Sequence, residues 1–270
     1  PLAPAPRTVA WTAVEAATWT PLGDGARLAT TTLRLTPSPD DVHEDAEAMT
    51  LSWVVLRLDV ARVSVRVQRA SDDSLGALWE RIPDALAALD SGFFEPDHHP
   101  SGLVITDGAT LAPPGERGGS GVLALTAERA AVLPIDAHDA GGFVVPPGVV
   151  FAVQCGPRVV EAGARPGIYR HDGRFAARTV ACIRADGQVL DLIATWNPDD
   201  ARRGPELYDL ATMLSGPSPV GDVAGCDAAL NLDGGVSTGV YARERGGRGH
   251  VRHEAVGPTP WSIVVRPRGG

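Results

Sequence analysis

Glycine and proline are frequent throughout the chain, and they constrain its fold more than any other feature of the sequence. The 270 residues include 31 glycines and 23 prolines, and these occur along the whole length. Such punctuation favours many short strands joined by turns over a few long helices. We therefore predict an α+β fold: a mixed, sheet-dominated single domain with a few helices packed on the sheet.

Several segments have the composition or the alternation of β-strands. In the segment 62–69, Val63, Val65 and Val67 alternate with polar residues, which indicates a strand with one solvated face. We expect this segment to form a hairpin with 51–58. Further strands or hairpins are predicted at 27–35, 102–111, 121–133, 151–160, 178–193 and 262–265. Within 178–193, Asp186-Gly187 predicts the turn of a hairpin. The Pro- and Asp-rich segment 37–47 predicts an exposed loop.

Two helices are predicted. Polar residues at 71–74 favour the start of a short helix that ends at Pro83. The second helix, at 205–214, has Pro205 at its first position and Glu206 in its first turn, where a carboxylate complements the helix dipole. Its apolar residues recur on one face, and Gly-Pro follows it as a stop.

The charge balance argues against one class of partner. The net charge is −9, and every basic residue is an arginine, so we do not expect a general basic surface for nucleic acid. An arginine pocket for a single phosphate is compatible with this composition. No apolar run approaches the roughly 18–20 residues that span a bilayer, so no transmembrane segment is predicted. The chain starts at Pro1 and not at an initiator methionine, so we expect a trimmed or mature form from which a leader has been removed.

The cysteines and histidines do not form recognisable metal motifs. Cys155, Cys182 and Cys226 each lie alone in an apolar segment, which predicts three small buried side chains and leaves open one bridge plus a free thiol. His98 and His99 are adjacent and belong to an acidic loop, where we expect solvation rather than shared ligation. Surface positions are predicted for the remaining candidates, His171, His250 and His253.

The segment 227–239 carries the densest set of polar groups. An apolar, strand-like run ends in Asn231 and Asp233, and two glycines follow, which permit a sharp turn and expose backbone N–H groups. The hydroxyls of Ser237 and Thr238 come next. This combination fits a site for a sugar or a phosphate. Spacing alone favours the alternative, a tight turn between two strands that the aspartate itself caps.

Six segments, taken in order, resemble the sequence pattern of the phosphodiester glycosidase family. That family includes N-acetylglucosamine-1-phosphodiester α-N-acetylglucosaminidase and bacterial proteins labelled as exopolysaccharide-biosynthesis-related. The matching segments are Asp90-Ser91-Gly92-Phe93-Phe94, 102–108, 156–163, Arg178-Thr179, 204–214 and 231–238. The resemblance covers about residues 85–267, so we predict a glycosidase-like core at 85–270 and a β-rich N-terminal part or extension at 1–84.

The resemblance implies hydrolysis of a sugar-1-phosphodiester in a glycoconjugate or surface polymer. It implies catalytic roles for Asp233, for Arg178 as the phosphate-binding cation, and for Glu206 as a candidate second carboxylate, a role for which Asp90 also qualifies. The implied substrate-binding residues are Asp90, Thr179, Asn231, Gly234, Gly235, Ser237 and Thr238. No cofactor and no metal site are predicted, although a divalent cation such as Ca²⁺ is left open. Such substrates lie outside the membrane, so the resemblance also implies a secreted bacterial protein: periplasmic, extracellular or a lipoprotein.

The sequence departs from the family pattern near the first motif and near the last. Asp90 and Ser91 stand where the family has Asn and Gly, and Val236 replaces a common glycine. An added carboxylate changes the charge of the pocket. The alternative interpretation is therefore a non-catalytic module that binds carbohydrate or phosphate on the same scaffold.

Overall fold

A computed structural model describes residues 10–36, 48–70, 72–215, 221–244 and 249–269. The strands are β1 Ala10–Ala13, β2 Thr18–Gly23, β3 Ala26–Thr36, β4 Met49–Asp59, β5 Val63–Arg69, β6 Ala87–Asp90, β7 Val104–Thr106, β8 Ala109–Ala112, β9 Gly121–Leu125, β10 Ala130–Pro134, β11 Phe151–Cys155, β12 Arg158–Glu161, β13 Arg165–Pro166, β14 Arg178–Arg184, β15 Val189–Trp196, β16 Ala228–Gly234, β17 Val240–Arg243, β18 Gly249–His253 and β19 Trp261–Pro267. The α-helices of the described residues are α1, Leu75–Arg81, and α2, Leu207–Ser215.

The described strands form three sheets. Sheet A has the order β1-β3-β4-β15-β14-β16-β12-β13, with β2 paired to β3. Sheet B has the order β18-β17-β6-β19-β5, and sheet C has the order β10-β9-β11-β7-β8. The architecture is mostly β, which confirms the sheet-dominated expectation, while the helical part is smaller than the label α+β suggests.

Sheet A separates two apolar layers. On its inner face, Leu56 and Leu192 pack in one core with Leu89 of sheet B and Val153 of sheet C. On its outer face, α2 contributes Leu210 and its apolar neighbours to a second core. Alternate residues of each strand of sheet A therefore point into different layers, and this alternation decides on which side each polar residue of the candidate site lies.

The expected hairpin between 51–58 and 62–69 is wrong, although both strands exist. β4 pairs with β3 and β15 in sheet A, whereas β5 pairs with β19 in sheet B. The chain crosses from one layer to the other at the short turn between them. The alternation in β5 is confirmed, because Val63, Val65 and Val67 are buried. Periodicity identifies the buried face of a strand but not its partner.

The hairpin signal at Asp186-Gly187 is confirmed. β14 and β15 pair across this turn in an antiparallel ladder, and Asp186 and Gly187 have φ angles of 53° and 89°. Left-handed backbone at both positions is what Asp-Gly favours. The other predicted strands at 27–35, 102–111, 121–133, 151–160 and 262–265 are likewise confirmed, while the loop prediction at 37–47 lies outside the described residues.

Both helices are confirmed, with a correction at the start of α2. The Ser74 hydroxyl caps α1 by accepting a hydrogen bond from the Ala77 N–H at 3.2 Å. α2 begins at Leu207, so Pro205 and Glu206 precede the helix rather than forming its first turn. The predicted Gly-Pro stop lies outside the described residues. None of the described helices has the length and apolar character needed to cross a membrane.

The predicted burial of all three cysteines is confirmed, and the pairing that the sequence left open is present as one bridge plus a free thiol. Cys182 and Cys226 form a disulfide, with their Cα atoms 5.5 Å apart, and Cys155 is a buried free thiol. The bridge joins β14 to the segment before β16, its neighbour in sheet A. The two cysteines are 44 residues apart in sequence, so spacing does not reveal that adjacent strands bring them together.

The N-terminal strands belong to the same sheets as the rest of the chain. β3 and β4 extend sheet A beside β15, and β5 closes one edge of sheet B beside β19. The division at residue 84 stays a prediction.

Candidate active site

Two of the family-like segments meet where β6 and β16 end. The Asp233 N–H donates to the Ser91 carbonyl at 2.8 Å. The Gly239 N–H donates to Asp90 Oδ1 at 3.3 Å. The aspartate that ends β6 and the glycine turn that follows β16 are therefore held against each other, although 149 residues separate Asp90 from Gly239.

Asp90 is the buried centre of this arrangement. Its residue is 1% exposed, and Oδ1 accepts a hydrogen bond from Thr179 Oγ1 at 2.6 Å. Burial raises the pKa of Asp90 well above its usual value, the Thr179 bond opposes this rise, and the charge of Asp233 adds to it. The environment therefore favours the protonated carboxyl.

Several buried polar atoms near Asp90 have no hydrogen-bond partner in the described part of the chain. They include Asp90 Oδ2, Ser91 Oγ, Thr238 Oγ1 and Ser262 Oγ. Ser262 lies opposite Asp90 in the ladder between β6 and β19. Such groups are rare in folded proteins and tend to mark functional sites. Ser262 was not predicted as a site residue, because it lies in no recognisable sequence motif.

Asp233 is the carboxylate of this cluster that reaches the surface. It is partly buried, and burial raises its pKa to about 6, against hydrogen bonding that lowers it. Its Oδ1 accepts from the Gly234 N–H at 2.9 Å, so it also caps the turn, as the alternative interpretation predicted. The Ser237 hydroxyl lies nearby, although it donates its proton to the Pro258 carbonyl at 3.1 Å.

The glycine turn beside Asp233 is open. Gly235 has φ 59°, and a Cβ at this position would meet no atom within 4 Å. The left-handed backbone explains why glycine stands here, and the free space lets a ligand approach the backbone closely. Val236, which replaces a family glycine, points outward and is 44% exposed.

Arg178 lies next to this turn but presents its side chain to the opposite face of sheet A. It pairs with Gly234 across the ladder between β14 and β16. Because neighbouring residues of a strand alternate, Thr179 faces Asp90 while Arg178 faces the side that carries α2. Its guanidinium donates to the carbonyls of Pro205 at 3.3 Å and Arg174 at 2.7 Å.

The charge of Arg178 is only distantly compensated. Among the described residues its guanidinium forms no ion pair within 4.0 Å, and the acidic groups that act on its pKa are Asp172 and Glu206. Burial lowers its pKa, but a guanidinium remains charged in proteins. Many arginines form a surface ion pair, but Arg178 does not form one in the described structure.

Most of the other predicted contact residues are buried. Thr179 and Thr238 are 0% exposed, and Ser237 is 3% exposed. Asn231 is 4% exposed and braces the turn, with Nδ2 donating to the carbonyls of Gly156 at 2.9 Å and Leu232 at 2.6 Å. These residues support the site from below, whereas Asp233 and the two glycines of the turn form its accessible part.

Glu206 lies on the Arg178 side, away from the Asp90 cluster. Its Oε2 contacts His171 Nδ1 directly, and Asp209 lies close to both. The surface expectation for His171 is wrong, since its side chain is only 12% exposed. No sequence motif joins these three residues, and the loop that carries His171 folds back onto the start of α2.

The described side chains of His98, His99 and His253 lie outside both clusters. His98 contacts Asp73 at 2.7 Å, and His99 contacts Asp97 at 3.3 Å. Each pairs with its own carboxylate and they share no site. The ring of His253 stacks on Trp196, with centroids 3.7 Å apart, which places it at a packed position rather than on an open surface. The side chain of His250 lies outside the described part of the structure.

A cavity of about 260 Å³ lies beside β3, β4 and the end of β15 in sheet A. It is lined by Glu15, Thr30, Thr31, Thr32, Ser52, Trp53, Val54 and Trp196. Val54 lies opposite Ala194, which lies opposite Thr179. The cavity therefore begins about 10 Å from Thr179, two strand spacings across the sheet. Hydroxyl groups and one face of an indole make a lining that suits a polar ligand.

Comparison with known proteins identifies the family of the chain. The sequence profile of the phosphodiester glycosidase family matches residues 83–265. Comparison with curated proteins gives no significant match.

Three solved structures share the fold. The catalytic domain of zebrafish N-acetylglucosamine-1-phosphodiester alpha-N-acetylglucosaminidase, auto-inhibited by its pro-peptide, is 14% identical, with a TM-score of 0.62 over 97% of this chain and 89% of that one. A candidate exported protein from Burkholderia pseudomallei is 12% identical, with a TM-score of 0.60 over 99% of this chain and 98% of that one. A hypothetical protein from Synechocystis is 13% identical, with a TM-score of 0.59 over 96% and 68%.

The TM-scores show a common fold, and the profile match spans most of the chain, including the segments around Asp90, Arg178 and Asp233. The chain belongs to the phosphodiester glycosidase family.

Proposed function

We propose that the protein is a hydrolase that cleaves a glycosyl phosphodiester between the anomeric carbon of the sugar and the phosphate oxygen. Family membership supports the reaction class. The observation that carries the proposal is the Asp233 carboxylate, which is partly exposed at an open glycine turn and has its pKa raised to about 6. A carboxylate with this pKa is ionised at neutral pH and is still basic enough to accept a proton.

In this mechanism Asp233 acts as the general base. It removes a proton from a water molecule as the water oxygen forms a bond to the anomeric carbon. The bond between that carbon and the phosphate oxygen breaks, and its electron pair stays on the phosphate. The Gly234 N–H, which donates to Asp233 Oδ1 at 2.9 Å, fixes the orientation of the carboxylate.

The leaving group explains why one accessible carboxylate is sufficient. A phosphate monoester has a second pKa near 6, so it can leave without being protonated by an acid. It needs positive charge instead. Arg178 lies beside the turn without a close ion pair in the described structure, and two of its five N–H groups donate to carbonyls. We assign the remaining donors to the phosphate.

The buried residues act through Asp233 and the turn. Asp90, at 1% exposure, is too deeply buried to touch a substrate, and we assign it, together with Thr179, to positioning the turn from behind. Ser237, Thr238 and Asn231 have the same supporting role. Glu206, on the Arg178 side, is assigned to positioning rather than to the bond that breaks.

We assign the cavity beside the site to a glycosyl unit of the substrate. Thr30, Thr32 and Ser52 offer hydroxyls that can both donate and accept hydrogen bonds, and Trp196 offers an apolar surface held in place by His253. A sugar presents the complementary combination of hydroxyl edges and apolar C–H faces. This arrangement favours a glycoconjugate or surface polymer over a small phosphodiester.

A location outside the cytoplasm fits this substrate. The Cys182–Cys226 disulfide is typical of oxidising compartments. One structural neighbour is a candidate exported protein. We therefore propose export, with a glycosyl phosphodiester of a bacterial exopolysaccharide or related glycoconjugate as the substrate class.

Hydrolysis in ¹⁸O-labelled water tests the proposal. The purified protein is incubated with a panel of UDP-sugars and nitrophenyl-phosphoryl-sugars, and the phosphate product is analysed by mass spectrometry. The proposal predicts release of sugar with no label in the phosphate, because the bond to carbon breaks. Label in the phosphate would indicate a phosphodiesterase. Saturable binding without any release would instead support the non-catalytic binding module.

A further inference from the structure

One imidazole and two carboxylates form a buried cluster on the outer face of sheet A. The cluster consists of His171, Glu206 and Asp209, and one donor atom of each lies within 4.8 Å of the other two. The side chains of His171 and Glu206 are 12% and 1% exposed, and Asp209 is 4% exposed. Two carboxylates this close repel each other unless positive charge lies between them.

The carboxylate of Glu206 is incompletely hydrogen-bonded. Its Oε2 contacts His171 Nδ1, whereas its Oε1 is buried and has no hydrogen-bond partner among the described residues. A buried carboxylate oxygen without a partner is costly. A bound cation would satisfy this oxygen.

Arg178 does not fill this role. Its charge influences Glu206, but its guanidinium donates to the carbonyls of Pro205 and Arg174. The described structure contains no ion pair between an arginine and Glu206. Direct neutralisation of this carboxylate must therefore come from His171 or from an ion.

We propose that His171, Glu206 and Asp209 bind one divalent transition-metal ion. An imidazole nitrogen with carboxylate oxygens is a donor set that suits Zn²⁺ or Mn²⁺, whereas Ca²⁺ prefers six to eight oxygens. The neutral imidazole and both carboxylates are the protonation states that ligate a metal. Open positions on the ion would be taken by water.

The ion would join the two segments that hold Arg178. His171 and Arg174 belong to the same loop, and Glu206 follows Pro205 directly, so each segment supplies one ligand and one carbonyl acceptor for the guanidinium. Metal binding would therefore orient Arg178. This consequence rests on the proposed function, in which Arg178 binds phosphate, whereas metal binding itself does not depend on it.

Calorimetric titration tests the metal site. The full chain is treated with chelator, dialysed, and titrated separately with ZnCl₂, MnCl₂ and CaCl₂. We expect one Zn²⁺ or Mn²⁺ per chain and much weaker binding of Ca²⁺. Glu206→Gln, which keeps the size of the side chain, and His171→Ala should each weaken binding by about 100-fold or more. Asp199→Asn removes the same charge from an exposed loop and should leave binding unchanged.

A second measurement uses the wild-type protein, so that the test does not depend on whether the variants fold. Co²⁺ bound to the wild-type protein should give visible absorption bands that chelator removes and that excess Zn²⁺ displaces. No stoichiometric binding by the wild-type chain, or binding unchanged in both variants, would overturn the proposal, as would tighter binding of Ca²⁺. If the wild-type chain binds the metal but releases no sugar from any substrate, the result counts against the proposed function and still supports the metal site.

Discussion

Arg178 and Gly234 lie opposite each other in the ladder between β14 and β16. A cationic residue from the middle of the chain and the acidic glycine turn near its end therefore lie at the same end of two interior strands of sheet A. The side chain of Arg178 points to the outer face, while the carboxylate of Asp233 belongs to the cluster around Asp90. Our proposal therefore requires a phosphate that reaches both groups around the ends of these two strands.

Activity should rise with pH through about 6. Asp233 acts as a base only when it is ionised, and burial raises its pKa to about 6. Below this value kcat/KM should fall about tenfold per pH unit, and above it a plateau is expected. Initial rates of sugar release between pH 4 and pH 8 measure this. Maximal activity below pH 5 would contradict the role of Asp233.

Asp233→Asn should stabilise the protein at neutral pH. Because the pKa of Asp233 is raised on folding, the folded state holds this proton more tightly than the unfolded chain, and stability is lost as the pH rises from about 4 through about 6. The variant removes this penalty. Its free energy of unfolding at pH 7.5 should exceed that of the wild type by about 1–2 kcal/mol, with little difference at pH 4.

Urea denaturation at the two pH values measures this difference, with Asp199→Asn as the control for the loss of an exposed charge. If the variant is less stable than the wild type at pH 7.5, the hydrogen bond from the Gly234 N–H to the Asp233 carboxylate stabilises the fold by more than desolvation of that carboxylate destabilises it.

Arg178→Lys should reduce kcat/KM by about 10- to 100-fold. Lysine keeps the charge but loses the planar fork that donates to Pro205, to Arg174 and, in our proposal, to the phosphate. Steady-state kinetics on the best substrate of the panel measures this. Arg165→Lys, on the exposed strand β13, is the matched control. Equal kinetics for the two variants would exclude phosphate binding by Arg178.

Trp196→Ala should raise KM with little change in kcat. The indole lines the cavity and stacks on His253, and a contact made equally in the ground state and the transition state affects binding alone. Trp196→Phe keeps an aromatic surface and should recover most of the affinity. An unchanged KM in the alanine variant would contradict our assignment of this cavity to a glycosyl unit of the substrate.

Local chemistry in the sequence predicts much of the fold. Asp186-Gly187 specifies its hairpin because both residues adopt left-handed backbone. Ser74 specifies the start of α1 through a single side-chain hydrogen bond. The valines of β5 specify its buried face. Each of these signals lies within a few residues of the structure that it determines.

Contacts between distant residues could not be predicted in this way. The pairing of β4 with β15 instead of β5, and the bridge between Cys182 and Cys226, depend on which strands become neighbours in sheet A. The burial of His171 against Glu206 depends on how one loop packs on α2. Nothing within a short window of sequence encodes these distances.

The candidate site shows the same division. The ordered family-like segments predicted that the regions of Asp90 and Asp233 belong together, and the hydrogen bond from the Asp233 N–H to the Ser91 carbonyl joins them. The sequence could not indicate which of these polar residues reach the surface. Thr179 and Thr238 are sealed in the core, because the twist and layering of the sheets, and not residue type, set their exposure.

The most direct test of the account is the turnover of Asp233→Asn beside that of Asp199→Asn, measured as sugar release at pH 7.5 on folded protein checked by circular dichroism. The account predicts that kcat/KM of the Asp233 variant falls by about 10²- to 10⁴-fold while the control keeps wild-type activity. A folded Asp233→Asn protein with activity within tenfold of the wild type would contradict the central claim that this carboxylate performs the chemistry.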